Sequence, residues 1–179
     1  MRKIKILDKE FQISVPYSTI KQVVDQVATQ INNDFANEEV FFICILNGSF
    51  MFAADLMKRI KILNKISFVK ISSYEGESST GVTKKLIGLE EDIRGRHVII
   101  IEDIIETGLT LDHVVKDLKA LKPASLKIAT LLFKPQAYHH NFKVDYFGLE
   151  IPNGFIVGYG LDYNGYGRNY EDIYSVIKS

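Results

Sequence analysis

The chain has 179 residues, 46% of them hydrophobic and 25% charged, with 22 Lys and Arg set against 22 Asp and Glu. That length suits one compact domain spanning residues 1–179, which must then hold the whole functional site. The balanced charge lacks the positive excess that sequence-independent binding to a nucleic-acid backbone or an anionic membrane would require, so a small partner is favoured over a polymer.

The opening residues Met1-Arg2-Lys3-Ile4-Lys5 develop no apolar signal-peptide core, and no later apolar stretch approaches the length of a bilayer span, which predicts a protein with no membrane association. After Pro16, with Ser18 as candidate N-cap, apolar residues recur at Ile20, Val23, Val24, Val27, Ile31 and Phe35, the spacing of one helix face. The run Val40 to Leu46 is apolar without alternation, as a parallel strand buried on both faces would be. It contains Cys44, the only cysteine, which reads as a small buried hydrophobe, excludes an internal disulfide and fits a reducing, cytoplasmic compartment. Asn47-Gly48-Ser49 then leads into a helical pattern from Phe50 to Leu63.

The segment Ser72 to Lys85 is rich in Ser, Gly, Thr and charge, and is expected to be a long mobile loop of lid type with short strands at most on its flanks. A second apolar run, His97 to Ile101, is followed by three acids, a Thr-Gly turn and a helix from Leu111 to Leu121, which Pro123 ends. A third run covers Ser125 to Phe133, and His139 and His140 beyond it lack any Cys or carboxylate at zinc-like spacing, so they are expected to be solvated loop residues. From Asp145 onward Tyr and Gly are frequent, and an irregular covering subdomain is expected. Strand, tight loop and helix recurring in this way predict an open α/β sheet of doubly wound type, with ligands at the carboxyl ends of its strands.

The most informative string is Val98-Ile99-Ile100-Ile101-Glu102-Asp103-Ile104-Ile105-Glu106-Thr107-Gly108-Leu109-Thr110-Leu111. Backbone N–H groups of Thr107 to Thr110, two hydroxyls and a helix N-terminus together form a site for a monophosphate, and glycine lets the backbone approach closely. Adjacent Glu102 and Asp103 repel each other unless something cationic or hydroxyl-bearing satisfies them, and a ribose diol or Mg²⁺ would do so. Acidic pairs alone usually mean a solvated strand end, and threonines at a helix start often only cap it; the combination is far rarer than either part.

This string resembles the phosphoribosyl pyrophosphate signature of the type I phosphoribosyltransferases, and similarity to the hypoxanthine branch of that family runs from Leu46-Asn47-Gly48-Ser49 to Arg168. The resemblance implies the type I phosphoribosyltransferase fold: a central parallel sheet flanked by helices, with a small irregular hood. It implies transfer of a phosphoribosyl group to a purine base with release of pyrophosphate, assisted by Mg²⁺, in a homodimer or homotetramer. Glu102 and Asp103 would bind the ribose hydroxyls and the metal, with Asp162 as a further metal ligand near the purine. Thr107, Gly108, Leu109 and Thr110 would hold the 5′-phosphate. Asn47 and Gly48, commonly around a non-proline cis peptide, would meet pyrophosphate, as would Arg168. Lys134 would donate to the purine exocyclic oxygen, Phe155 would stack on the base and Ile156 would offer backbone groups. Ser73 and Tyr74 match the family's lid.

The chain departs from the family pattern at Asn47, where many relatives carry Lys, and at Glu106, where Asp usually handles the purine N7 proton. A xanthine-preferring enzyme is the nearest alternative. A nucleotide-sensing regulator of the same fold is opposed by the equal charge counts, and a phosphate-accepting receiver domain would need neither the Thr-Gly-x-Thr turn nor the lid.

Overall fold

The computed structural model describes residues 2–75, 82–140 and 142–177. Its elements in chain order are β1 (Lys3–Ile6), β2 (Lys9–Val15), α1 (Tyr17–Asp34), β3 (Val40–Leu46), α2 (Phe50–Met57), β4 (Asn64–Glu75), β5 (Val82–Ile87), β6 (His97–Ile105), α3 (Leu109–Ala120), β7 (Ser125–Phe133), β8 (Tyr146–Glu150), β9 (Ile156–Val157) and β10 (Ile173–Val176). The main sheet runs β5-β4-β3-β6-β7-β8, parallel except for β5.

The apolar runs lack alternation because both faces of the sheet are covered. Phe42, Cys44, Ile99 and Ile101 pack under α1 and α2, whereas Phe41, Ile43, Val98 and Ile100 pack under α3. Burial of one such side chain is worth about 1.5–3 kcal/mol, so the paired strands β3 and β6 carry much of the core. Their carboxyl ends point to one edge of the sheet, and that edge holds the acids.

Four expectations need correction. Ser18 is not the N-cap: α1 starts at Tyr17 after an extended Pro16, and its first amide is taken by the buried Asp172, whose Oδ1 accepts from Tyr17 N at 2.8 Å. An acid from the far end of the chain thus serves the helix dipole. The second helix stops at Met57 rather than Leu63, because Asn32 of α1 binds the turn that follows, donating to Arg59 O at 3.0 Å and accepting from Lys61 N at 2.8 Å. The strand β6 continues past Ile101 to Ile105, since its ladder with β7 persists from Glu102 opposite Thr130 to Ile105 opposite Phe133. Glu102 and Asp103 therefore sit on a strand, with the rigidity that implies. The strands expected on the flanks of Ser72 to Lys85 are present and reach further in than short ones would: β4 and β5 pair antiparallel from Lys70 opposite Ile87 to Glu75 opposite Val82. The backbones of Ser73 and Tyr74 lie in that ladder, while residues 76–81, the centre of the expected lid, lie outside the described residues.

The covering subdomain is more regular than its composition suggested, and it begins later. Tyr146–Glu150 is the last strand of the main sheet, and the hood beyond it shares a second, antiparallel sheet, β1-β2-β10-β9, with the N-terminal hairpin. Phe11, Val157, Tyr174 and Ile6 form its small core.

Candidate active site

A cleft of about 370 Å³ opens at the carboxyl edge of the main sheet, lined among others by Leu46, Ile71, Glu102, Glu106, Thr107 and Gly108. Its walls come from the ends of β3 and β6 and the turn into α3, and Lys134 after β7 reaches it through Glu106.

The loop after β3 contains a cis peptide between Leu46 and Asn47. Its following residue, Gly48, lies so close to Asp103 that a Cβ would run into the carboxylate. Ser49, fully buried, anchors the loop by donating its hydroxyl to Ile45 O, with Cys44 Sγ 3.0 Å from the same hydroxyl. Burial pushes the Cys44 thiol up to about 11, so it is inert, as its apolar setting suggested.

Within β6, Glu102 lines the cleft and Asp103 beside it abuts Gly48. Burial, and then the neighbouring Asp103 charge, pushes the Glu102 carboxyl well above its ordinary 4.5. Burial likewise raises Asp103, against hydrogen bonds that include Ile104 N donating to Oδ1 at 2.8 Å and the more distant charge of Arg168. Neither acid has a salt-bridge partner among the described residues. A buried carboxylate beside a half-buried one, neither with a salt-bridge partner among the described residues, fits Mg²⁺, which is commonly held by one or two carboxylates with substrate oxygens and water completing the shell. No cluster of three or more metal-ligating side chains occurs among the described residues. Asp162, the further ligand expected from sequence, is instead paired with Arg168 and accepts from Gly165 N at 2.6 Å.

The turn after β6 opens α3. Gly108 is the left-handed N-cap of α3 at φ 85°, and the first helical bond runs from Asp112 N to Gly108 O at 2.9 Å. The amides before it have no partner within the helix, although Leu109 N donates to the Thr107 hydroxyl at 3.4 Å. A side chain on Gly108 would strike the rings of Tyr138, His140 and Phe142. Here sequence reasoning missed a feature: His139 is exposed as expected, but His140 is half-buried between Tyr138 and Phe142, 3.9 Å from Asp112, and forms part of the wall behind the turn. The aromatic spacing Tyr138, His140, Phe142 was the available signal.

Lys134 is only 4% exposed, although a lone lysine just after a strand is commonly solvated. Its ammonium donates to the Glu106 carboxylate and, at 2.9 Å, to Gly154 O. The residues expected to handle two different atoms of one base are therefore in contact with each other, and both lie against the hood. Phe155 remains 44% exposed, edge-on to Tyr163 with ring centroids 5.5 Å apart, and Ile156 sits in β9 opposite Ser175. Arg168 donates to Gly160 O at 2.7 Å, which together with its bond to Asp162 folds the hood loop back on itself.

A model of the phosphoribosyl transferase domain matches residues 16–164. The chain is 39% identical to the hypoxanthine phosphoribosyltransferase of Escherichia coli K12 over 85% of its own length and 87% of the other's. It is 36% identical to the hypoxanthine-guanine phosphoribosyltransferase of Aquifex aeolicus, over 98% and 96% of the two chains. Among solved structures, a hypoxanthine-guanine phosphoribosyltransferase from Bacillus anthracis with a HEPES molecule in the active site superposes with a TM-score of 0.85 at 39% identity, covering 93% of this chain and 98% of that one.

Proposed function

The chain belongs to the phosphoribosyl transferase family, and from that premise we propose that it is a purine-salvage hypoxanthine phosphoribosyltransferase, with guanine as a second or equal substrate. The observation that carries the mechanism is the placement of an acid pair, Asp103 buried and Glu102 half-buried, between the start of α3 and the backbone loop at Gly48. A ribose whose 5′-phosphate occupies the α3 turn would present its diol to Glu102 and Asp103 and its pyrophosphate to Asn47 and Gly48, near Arg168. Mg²⁺, when bound at the acid pair, supplies charge neutralisation for the departing pyrophosphate.

In the reaction the bond from C1′ to pyrophosphate breaks and the purine N9 bonds to C1′. Lys134, already a donor at the buried end of β7, turns to the exocyclic oxygen of the base, which favours a 6-oxopurine over adenine. Released from Lys134, Glu106 takes the proton from purine N7, a positioned general base at the cleft wall. Phe155 would cover one face of the base, Ile156 would offer backbone groups, and Asp162, released from Arg168, would be a further metal ligand near the base. Closure of the segment carrying Ser73 and Tyr74 excludes water from an oxocarbenium-like transition state. The chain works as a single domain in a cytoplasmic homodimer or homotetramer, with a purine base and phosphoribosyl pyrophosphate as its substrates and no nucleic-acid partner.

Incubation with phosphoribosyl pyrophosphate, Mg²⁺ and hypoxanthine, guanine, xanthine, adenine or uracil in turn tests this. Inosine monophosphate from hypoxanthine is expected, with little product from adenine and none without a divalent metal. Xanthine as the best substrate would shift the reading to the neighbouring specificity, and no product from any base would remove the enzyme reading.

A further inference from the structure

The segment Tyr159-Gly160 touches the loop after β3 without belonging to it. Tyr159 is 1% exposed, and its hydroxyl donates to Asp55 Oδ2 at 2.7 Å, an oxygen that Tyr17 of α1 also reaches at 3.3 Å. Burial, and then the facing Asp55 carboxylate, push the Tyr159 hydroxyl far upward, so it remains a donor. The next residue, Gly160, stands so close to the Gly48 carbonyl that a Cβ would overlap it, and Gly48 in turn abuts Asp103. Hood, loop and acid strand are thus stacked in that order with no spare volume. Asp55 lies in α2, the eight-residue helix that the loop leads into. A helix that short has little stability of its own and takes its orientation from tertiary anchors.

We propose that Asp55 and Tyr159 form a clasp that positions the Leu46–Ser49 loop for phosphoribosyl pyrophosphate, by fixing α2 at one end of the loop and seating Gly160 on the Gly48 carbonyl. Both are positioning residues: neither lines the cleft, and both act through Gly48. The inference rests on the reading of that loop as a pyrophosphate site. It separates the two substrates, because the clasp touches the loop after β3 and leaves Lys134 and Glu106 alone.

The test is Tyr159→Phe, which keeps the buried ring and removes one hydroxyl. KM for phosphoribosyl pyrophosphate should rise about tenfold, the equivalent of one hydrogen bond to a charged group, while KM for hypoxanthine stays within about twofold. Asp55→Ala should do the same, the double variant should be no worse than Asp55→Ala, and Asp55→Asn, which keeps an acceptor for the hydroxyl, should recover most of the loss. Equal rises in both KM values, additive losses, or a lowered Tm with unchanged KM would each overturn the clasp. Calorimetric binding of Mg²⁺-phosphoribosyl pyrophosphate provides the same comparison without turnover. If the parent forms no nucleotide, the functional reading fails by itself, and equal Kd values for parent and Tyr159→Phe would still overturn the clasp on its own terms.

Discussion

The two edges of the main sheet treat charge in opposite ways. At the edge where the parallel strands begin, Asp34 at the end of α1 accepts from Tyr146 of β8 at 2.7 Å and from Lys127 of β7 at 3.1 Å, and Lys127 also lies over the Phe35 ring. The Tyr146 hydrogen bond, and then that of Lys127, hold the Asp34 carboxyl below its ordinary 3.8. At the edge where the strands end, burial raises both Glu102 and Asp103, with no salt-bridge partner among the described residues. One edge is arranged so that ionisation favours the fold; at the other the fold carries ionisable groups that only a ligand can satisfy. A carboxylate that serves the structure and one that serves chemistry can be told apart by the direction in which their surroundings push them.

The sharpest way to break this contrast is Glu102→Gln. It should lower kcat/KM by at least about a thousandfold, the several kcal/mol expected for losing metal and diol contacts. In metal-free buffer it should nevertheless raise Tm by a few degrees, each 1 kcal/mol being worth roughly 2–4 °C in a chain of this size. The sign with pH follows from the raised carboxyl. The protonated form is favoured in the folded state, so the acid costs nothing below about 4.5 and weakens the fold as pH rises through its folded value. The Tm advantage of the variant should therefore be absent near pH 4 and widen toward pH 8. A variant less stable than the parent at pH 8 would place Glu102 with the structural acids.

The second test divides the Lys134–Glu106 pair, which stands between the two extremes because its partners are ionic to each other yet border the cleft. Glu106→Gln should lower kcat about a hundredfold with little change in substrate binding, the lower end of what positioned proton transfer contributes, and Glu106→Asp should keep or improve the rate. Lys134→Met should weaken use of 6-oxopurines by roughly ten- to a hundred-and-fiftyfold while leaving phosphoribosyl pyrophosphate affinity nearly intact. The abandoned Glu106 side chain is 52% exposed and can be hydrated, so the fold should survive. A Glu106→Gln variant as fast as the parent would make this carboxylate merely a partner of the lysine.

This asymmetry between edges also decided what could be read from sequence. Local signals were strong where chemistry and strand order coincide in a few residues. The unalternating runs around Phe41 and Phe42 announced a sheet covered on both faces, and Glu102 to Thr110 announced a strand end with paired acids and a glycine turn opening a helix. Contacts between distant segments left no such trace. Asp172 caps α1 across 155 positions, Lys134 meets Glu106 across 28, and the hood sheet joins the first strand of the chain to the last. The hairpin β1–β2 left a local trace, since Lys3–Ile6 and Phe11–Val15 alternate polar and apolar residues, but no local signal says which distant strand covers their apolar face. That strand is β10, only four residues long, which pairs with β2 from the other end of the chain.

The smallest effect is expected at the opposite edge. Asp34→Asn keeps the size and one acceptor of the side chain but removes its charge, so the Lys127 ion pair and the stronger share of the Tyr146 bond are lost. The Asp34 side chain is 48% exposed, and ion pairs of that kind contribute about 0.2–1 kcal/mol after solvent screening. Tm at pH 7 should fall by about 1–3 °C, and the activity with hypoxanthine should not change. The pH dependence runs opposite to that of Glu102. A lowered carboxyl stabilises the fold above its ordinary 3.8 and loses that contribution as pH falls through the folded value, so parent and variant should converge in acid rather than in base. Melting curves of Asp34→Asn and Glu102→Gln between pH 3 and 8 should accordingly diverge from the parent in opposite directions as pH rises. If both variants shifted the same way, burial and pairing would not be what separates the two edges.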